Sequence, residues 1–409
     1  MTIRWITENL GTAPWSAELA YKDVNVVDVR SLRDATGNSP LLIKEKVLEI
    51  SNIINQGGRV VICCDYGISR SNAIAAAVLS QVAGTSLNDS LRRVVCATGE
   101  TRIKIDLIDD IRSALGMRFN TNIVAKVLIL GADEFIGGYI NSVVNPDRYI
   151  ASLCQQNLID DPILLDSTVM EYSTERIIFC WHPPQLDTNL AAGHLISSLR
   201  NVLEVCRVRG IALTFLSGHQ VFSGRTGYGV QSCLETDTLC PAGAVGDALF
   251  LAETLIKQYG QRNNLRFLIV RFSHVYGYGD KRPWLLNTII RQALAHCTIQ
   301  VHEFDNGFPK IGLTHVKNLA YIVKLATEEN LTGILHVSPD KVITTYDLAL
   351  LIKKQTNSAS RIVAVKFPNN YSMIRLDSVT TLSSLESTSK VKLESGLLEL
   401  VKNMVLEEL

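Results

Sequence analysis

The 409 residues predict an α/β protein built as two domains in tandem. Two apolar strands, Val60 to Cys64 and Ile123 to Leu130, each run into a tight turn and then a helix. Between them Met117 to Asn122 reads as a short linker. Apolar strands that alternate with helical patterns indicate a largely parallel sheet covered by helices. The domain boundaries that follow are 1–118 and 122–409.

The elements of the first domain can be justified in order. Val24 to Arg30 is an apolar strand, 31–40 a loop, and Leu41 to Asn55 an amphipathic helix. The strand at Val60 comes next, with its Ala-rich helix from Asn72 to Val82. Gly84-Thr85-Ser86 stops that helix and starts another, Leu87 to Cys96, and a last helix covers about Lys104 to Leu115. Hydrophobic residues make up 47% of the chain and charged residues 20%, enough apolar surface for each domain to bury a core.

Charge and cysteine usage narrow the classes of function. Forty basic residues balance forty acidic ones, so no electrostatic footprint for nucleic acid or an anionic membrane exists, and neither partner is expected. The N-terminus opens no apolar signal region, and no apolar run approaches the ~20 residues of a spanning helix. Nine cysteines lie scattered without metal-ligand spacing. They read as reduced thiols of a cytoplasmic protein that holds no metal.

The densest chemistry lies in Cys64-Asp65-Tyr66-Gly67-Ile68-Ser69-Arg70-Ser71, between strand and helix. Loop N–H groups and a helix N-terminus favour an anion there. Arg70 can grip two phosphate oxygens, and the same field lowers the pKa of Cys64. The segment resembles the signature of cysteine-dependent phosphatases of the dual-specificity class, His-Cys-x-x-Gly-x-Ser-Arg-Ser. Cys64, Gly67, Ser69, Arg70 and Ser71 match it, while Cys63 stands at the histidine position.

The resemblance implies a cofactor-independent phosphomonoester hydrolase working through a phosphocysteine. Cys64 would be the nucleophile, Arg70 the phosphate clamp, and Ser71 a donor to the leaving sulfur or simply a helix-terminal hydroxyl. Residues 65–70 would bind phosphate through Asp65, Tyr66, Gly67, Ile68, Ser69 and Arg70. Asp34, followed by Asn38, fits the family's general acid better than Asp28, which can pair locally with Arg30 or Arg33. The loop lacks lysine and carries Asp65, which points to a singly phosphorylated substrate, a small phosphoester or a phosphoprotein.

In the second half, Gly131-Ala132-Asp133-Glu134-Phe135-Ile136-Gly137 follows a strand and opens a helix, the start of a Rossmann-type dinucleotide-binding unit. It resembles the fingerprint of extended short-chain dehydrogenase/reductases, Gly-x-x-Gly-Phe-Ile-Gly. Gly131, Phe135, Ile136 and Gly137 are the implied cofactor-binding positions, and Glu134 replaces the middle glycine. No clear ribose-binding acid follows the expected second strand, Tyr149 to Leu153.

Further segments resemble the dTDP-4-dehydrorhamnose reductase type: Leu216 to Gly224, Glu235, Pro241, Arg271 to Gly277, Gly333 to Ser338, Thr344 to Ala349 and Leu376 to Ser378. The resemblance implies a doubly wound parallel sheet with a small C-terminal substrate-type lobe. Its catalytic hydroxyl, tyrosine and lysine fall on Gly218, Val245 and Leu249. NAD(P) binding is therefore weakened and hydride transfer unsupported, unless His219, Tyr228, His274 or Tyr276 supplies a substitute acid. The expectation is a phosphatase fused to a catalytically silent reductase-like module, for which a homo-oligomer is open. The alternatives are an NAD(P)-dependent sugar-nucleotide reductase or epimerase with an atypical site, and a non-enzymatic scaffold.

Overall fold

β-Branched and leucine-rich runs form the strands, and glycines in left-handed conformations end several of the helices. The computed structural model describes residues 2–17, 24–117, 127–144, 149–152, 155–183, 186–282, 284–339, 341–379 and 391–407. Residues 118–122 of the expected linker and 123–126 of the expected strand lie outside the described residues. The chain forms two compact units, residues 1–124 with 156–174, and residues 125–155 with 175–409.

The first unit is a four-stranded sheet packed by helices. Its elements are β1 (Arg4–Trp5), β2 (Leu10–Pro14), β3 (Asn25–Asp28), α1 (Pro40–Asn55), β4 (Val60–Cys64), α2 (Arg70–Ala83), α3 (Leu87–Thr98) and α4 (Ile105–Ala114). The strand order is β1-β2-β4-β3, with β4 parallel to both β2 and β3. All five residues of β4 are buried, and so are residues 71–80 of α2, so the loop joining them is held at both ends by core. Ser86 starts α3 by accepting the Asp89 N–H, and Gly99 ends it at φ +70°.

The expectation that everything after residue 122 joins the second domain is corrected for 156–174. This stretch carries α6 (Gln155–Asp160) and α7 (Pro162–Glu171), and α7 packs on α3 and α4. Ile163 enters the first unit's apolar core. Asp166 pairs with Arg112 at 2.7 Å, with both side chains almost fully buried. Arg112 also pairs with Asp109 at 3.1 Å and donates to Asn88 at 3.2 Å, so one buried guanidinium joins α3, α4 and α7.

The second unit opens with β5 (Val127–Leu130), α5 (Phe135–Val143) and β6 (Tyr149–Ser152). It continues with β7 (Arg176–Phe179), α8 (Asn189–Arg209), β8 (Ala212–Gly218), β9 (Gly229–Cys233), α9 (Ala244–Asn263), β10 (Phe267–Phe272) and β11 (His274–Tyr276). Then come α10 (Leu285–Leu294), β12 (Ile299–Phe304), β13 (Lys310–Ile311), β14 (Leu313–His315), α11 (Val316–Glu328) and β15 (Gly333–Val337). The last elements are β16 (Ile343–Thr344), α12 (Thr345–Gln355), β17 (Ile362–Phe367), β18 (Ser372–Leu376) and α13 (Leu393–Glu407).

Six strands form a parallel sheet in the order β15-β10-β8-β7-β5-β6. The order reverses at β5, which has β6 on one side and β7 on the other, and such a switch point opens a crevice at the strand C-termini. A smaller lobe pairs β12 with β17 and β9 with β18, and packs Leu286, Ile290, Leu348, Ile352 and Leu397 into its own core.

One buried ion pair ties sheet, helix and lobe together. Arg271 on β10 and Glu253 on α9 are 1% and 0% exposed, and Arg271 grips Glu253 through Nε at 2.9 Å and Nη2 at 2.7 Å. Ser217 on β8 donates to Glu253 at 2.7 Å. Arg271 Nη1 donates to His336 Nε2 at 3.2 Å, which leaves Nδ1 of a neutral ring to donate to the Asp377 carbonyl at 3.0 Å. Burial would push the Glu253 carboxyl up, but the Arg271 guanidinium outweighs it and holds the group below its ordinary value. A carboxyl lowered in the folded state stabilises above its unfolded pKa, and that contribution is lost as pH falls through the lowered value.

Glu253→Gln should cost about 3–5 kcal/mol in urea unfolding, because Arg271 is left buried and unpaired. Replacing both residues by apolar side chains should recover most of that loss. An additive double mutant would contradict the coupling.

Candidate functional site at the strand C-termini of the second unit

Gly131 follows β5 at φ +101°, and a Cβ there would lie 2.6 Å from the Trp181 backbone nitrogen. A Cβ on Gly137 would overlap the Gly131 carbonyl oxygen. These two glycines let α5 begin hard against the end of β5, which aims its first N–H groups over the switch point. Phe135 and Ile136 pack into the sheet's core, and Phe135 meets Tyr139 edge-on with ring centroids 5.8 Å apart. Glu134 caps α5 in an extended conformation without a side-chain cap bond, and its side chain is exposed. Loss of water around the carboxyl and the neighbouring Asp133 charge push its pKa up.

Two of the three positions of the expected acid/base set meet, and all three are non-polar. Gly218 ends β8, and a Cβ on it would overlap the Gln220 side-chain oxygen and lie 3.5 Å from Leu249 Cδ1. Leu249 is 4% exposed, and Val245 stands one turn earlier on α9. Gly, Val and Leu carry no ionisable group, so the hydroxyl, phenol and ammonium of the usual set have no counterpart here.

Two imidazoles stand nearby. His219 and His274 have ring centroids 4.4 Å apart, and His274 stacks on Trp284 at 5.9 Å. Burial brings His219 down to about 4, partly opposed by its bond to the Phe272 backbone. Burial, with the charges of His219 and Arg282, brings His274 down to about 3. Both rings are neutral near pH 7. Tyr276 is 1% exposed and donates to the Leu393 carbonyl at 3.4 Å, while Tyr228 is 74% exposed. Of the four substitute acids, only the two histidines line the cleft.

That cleft has a volume of about 470 Å³ and extends from His219 and His274 into the small lobe. Phe304 and Tyr371 line it, with ring centroids 6.0 Å apart, and Phe304 stacks on Phe367 at 5.5 Å. Lys310 lines it as well. The Thr345 hydroxyl lines the same cleft, is buried, and has no hydrogen-bond partner among the described residues. Sequence reasoning singled out His219 and His274 but missed Phe304, Lys310, Tyr371 and the role of Thr345. These residues lie far apart in the chain and carry no local motif.

The first unit's loop is assembled as its sequence suggests, but its charges are already satisfied. Ser71 Oγ lies 3.3 Å from Cys64 Sγ. Burial pushes the Cys64 thiol up, and hydrogen bonds from Ser71, Ile68 and Gly67 outweigh it, so the thiol lies below its ordinary value. Burial and the nearby Asp28 push Cys63 up to about 12. Gly67 adopts φ +65° with its Cα packed on the Ala13–Pro14 backbone, and Ser69 accepts the Lys104 N–H at 3.0 Å. Tyr66 is 75% exposed. Arg70, however, pairs with the Asp65 carboxylate and donates to the Arg30 and Leu32 carbonyls, each at 3.2 Å. Asp34 is exposed on a loop that Asn38 braces through Arg33, Ala35 and Asp110. Asp28 is paired with Arg30 at 2.8 Å.

Comparison with known proteins bears on the second unit. No curated protein matches the chain. The family model described as the RmlD substrate binding domain matches residues 125–394. A dTDP-4-dehydrorhamnose reductase from Yersinia enterocolitica aligns at 23% identity, covering 68% of this chain and 99% of its own, with a TM-score of 0.55. A Bacillus anthracis reductase of the same name, in complex with NADP, aligns at 21% identity over 68% of this chain and 99% of its own, TM-score 0.54. The UDP-glucose 4-epimerase of Thermus thermophilus, in complex with NAD, aligns at 18% identity over 68% and 99%, TM-score 0.55. At these identities the likeness establishes the fold, a Rossmann-type α/β sheet.

These findings overturn the expectation that the chain is a phosphatase. The matched family and these three structures are of reductase and epimerase type, and nothing in them supports an N-terminal phosphatase domain. The physical counterpart lies in Arg70, whose guanidinium is spent on Asp65 and two backbone carbonyls. With two thirds of its length matched, from 125 to 394, the chain belongs to the RmlD substrate binding domain family.

Proposed function

We propose that the second unit is an NAD(P)-dependent sugar-nucleotide reductase- or epimerase-like module with an atypical acid/base set. The observation that carries this reading is the cleft of about 470 Å³ beside His219 and His274 at the strand C-termini. Family membership and the close α5–β5 approach at Gly131 and Gly137 support it.

The residues present fit a dinucleotide with one penalty. The backbone of Gly131 and of Phe135 to Gly137 would hold the pyrophosphate at the α5 N-terminus. Glu134 adds a like charge where the middle glycine would stand. A bound nicotinamide would supply or accept hydride. His274 and His219, both neutral, would orient and polarise the sugar oxygen by hydrogen bonding rather than deliver a proton from an imidazolium. Phe304 and Tyr371 suit a nucleobase, Lys310 a diphosphate, and the Thr345 hydroxyl a ligand oxygen. The test is equilibrium titration of the full chain with NADH, NADPH and dTDP- and UDP-sugars, beside an absorbance assay of cofactor turnover. Failure of every nucleotide to bind would end this reading.

Two outcomes are expected for the turn. Glu134→Gly should tighten dinucleotide binding about tenfold, or ~1.4 kcal/mol, by removing a like charge and side-chain bulk. In the unmodified protein, binding should strengthen as pH falls through the raised range of the Glu134 carboxyl, because protonation removes the repulsion. That pH dependence should disappear in Glu134→Gly. Calorimetric titration between pH 5 and 8 reads both.

For the cleft, Thr345→Val should weaken sugar-nucleotide binding by about 0.5–1.5 kcal/mol, the net value of one hydrogen bond, while leaving dinucleotide affinity unchanged. Equal affinity in the variant would remove Thr345 from the site.

A further inference from the structure

A second, smaller pocket of about 150 Å³ lies at the opposite edge of the parallel sheet, where β5, β6, β7 and β8 begin. Ligands of open α/β sheets bind at the strand C-termini, so the fold alone does not account for it. Arg176, the first residue of β7, lines the pocket and is 4% exposed. Its only hydrogen bond among the described residues is Nη1 to the Thr214 hydroxyl at 3.0 Å, and no carboxylate there pairs with it. Burial and the charge of Arg266 both pull its pKa down, as expected of a guanidinium taken from water without a counter-ion.

Two further observations point into the same space. Thr327, 5% exposed, lines the pocket, and its hydroxyl has no partner among the described residues. Arg266, which is exposed, adds a second guanidinium to the lining. The lining carboxylates, Glu175 and Glu328, are also exposed, and Glu328 is paired with Lys324 at 2.7 Å. The charge removed from water is the positive one. An unpaired buried charge is costly, and the arrangement gains most from an anion that accepts from Arg176, Arg266 and Thr327 together.

We propose that this pocket binds a small oxyanion, either free phosphate or the phosphoryl or carboxylate group of a small molecule, held between Arg176 and Arg266 with Thr327 as a third donor. The site is separate from the nucleotide cleft and does not depend on the proposed function.

Thermal melting of the full chain tests it, with phosphate or acetate titrated against chloride at matched ionic strength. Phosphate should raise the melting temperature saturably. Arg176→Met should weaken that response at least about tenfold, as expected for loss of a charge-assisted pair, and Arg266→Gln should weaken it several-fold. In chloride, Arg176→Met should melt no lower than the unmodified protein, since it removes an unpaired buried charge. A response to acetate matching that to phosphate would assign a carboxylate, and a response to phosphate alone a phosphoryl group. The proposal is overturned by a response that does not saturate or by one unchanged in both variants. If Arg176→Met does not fold, Arg266→Gln decides, because that side chain is exposed.

Discussion

The Arg271–Glu253 pair is the constraint on which the second unit depends. Arg271 lies in a strand that is otherwise apolar, and Glu253 in the buried face of α9. Neither charge can be withdrawn from water alone, so β10 and α9 must meet in one register. Ser217 brings in β8, His336 brings in β15, and the Asp377 carbonyl completes the chain of donors. Glu235 extends the same network by accepting the backbone N–H of His336 and the Ser378 hydroxyl. The end of β8, and with it Gly218, is thereby fixed against α9.

This division explains how the scaffold persists while the chemistry changes. The network does not include Val245, Leu249 or Gly218. Substitution at those three positions removes proton-transfer groups without disturbing the buried charges. The glycine turn behaves the same way. Gly131 and Gly137 are demanded by close backbone approach, whereas Glu134 is exposed and free of that packing constraint. The cleft opens beside the ends of β8 and β10 and presents imidazoles, aromatic rings and the buried Thr345 hydroxyl, which has no partner among the described residues.

Local patterns were legible in the sequence. The strands at Val60 and Val127, the helices that follow them and the glycine turn depend on neighbours within a few residues. The loss of the hydroxyl, tyrosine and lysine was legible because strand and helix register place Gly218, Val245 and Leu249. Long-range partners were not. The placement of α7 rests on Asp166 meeting Arg112, 54 residues away in the chain. The burial of Arg176 follows from the sheet order, which one sequence does not reveal. The phosphatase expectation failed for a related reason. Eight residues specify the geometry around Cys64, but Asp65 sits in that same stretch and satisfies Arg70.

The central claim is that the β5–α5 turn still receives a dinucleotide. Trp181 abuts that turn, since a Cβ on Gly131 would meet its backbone. Titration of the full chain with NADPH, read as energy transfer from tryptophan to the nicotinamide, tests the claim most directly. The account predicts saturable transfer that falls in Trp181→Phe. Absence of saturable transfer, or transfer indifferent to that substitution, would contradict it.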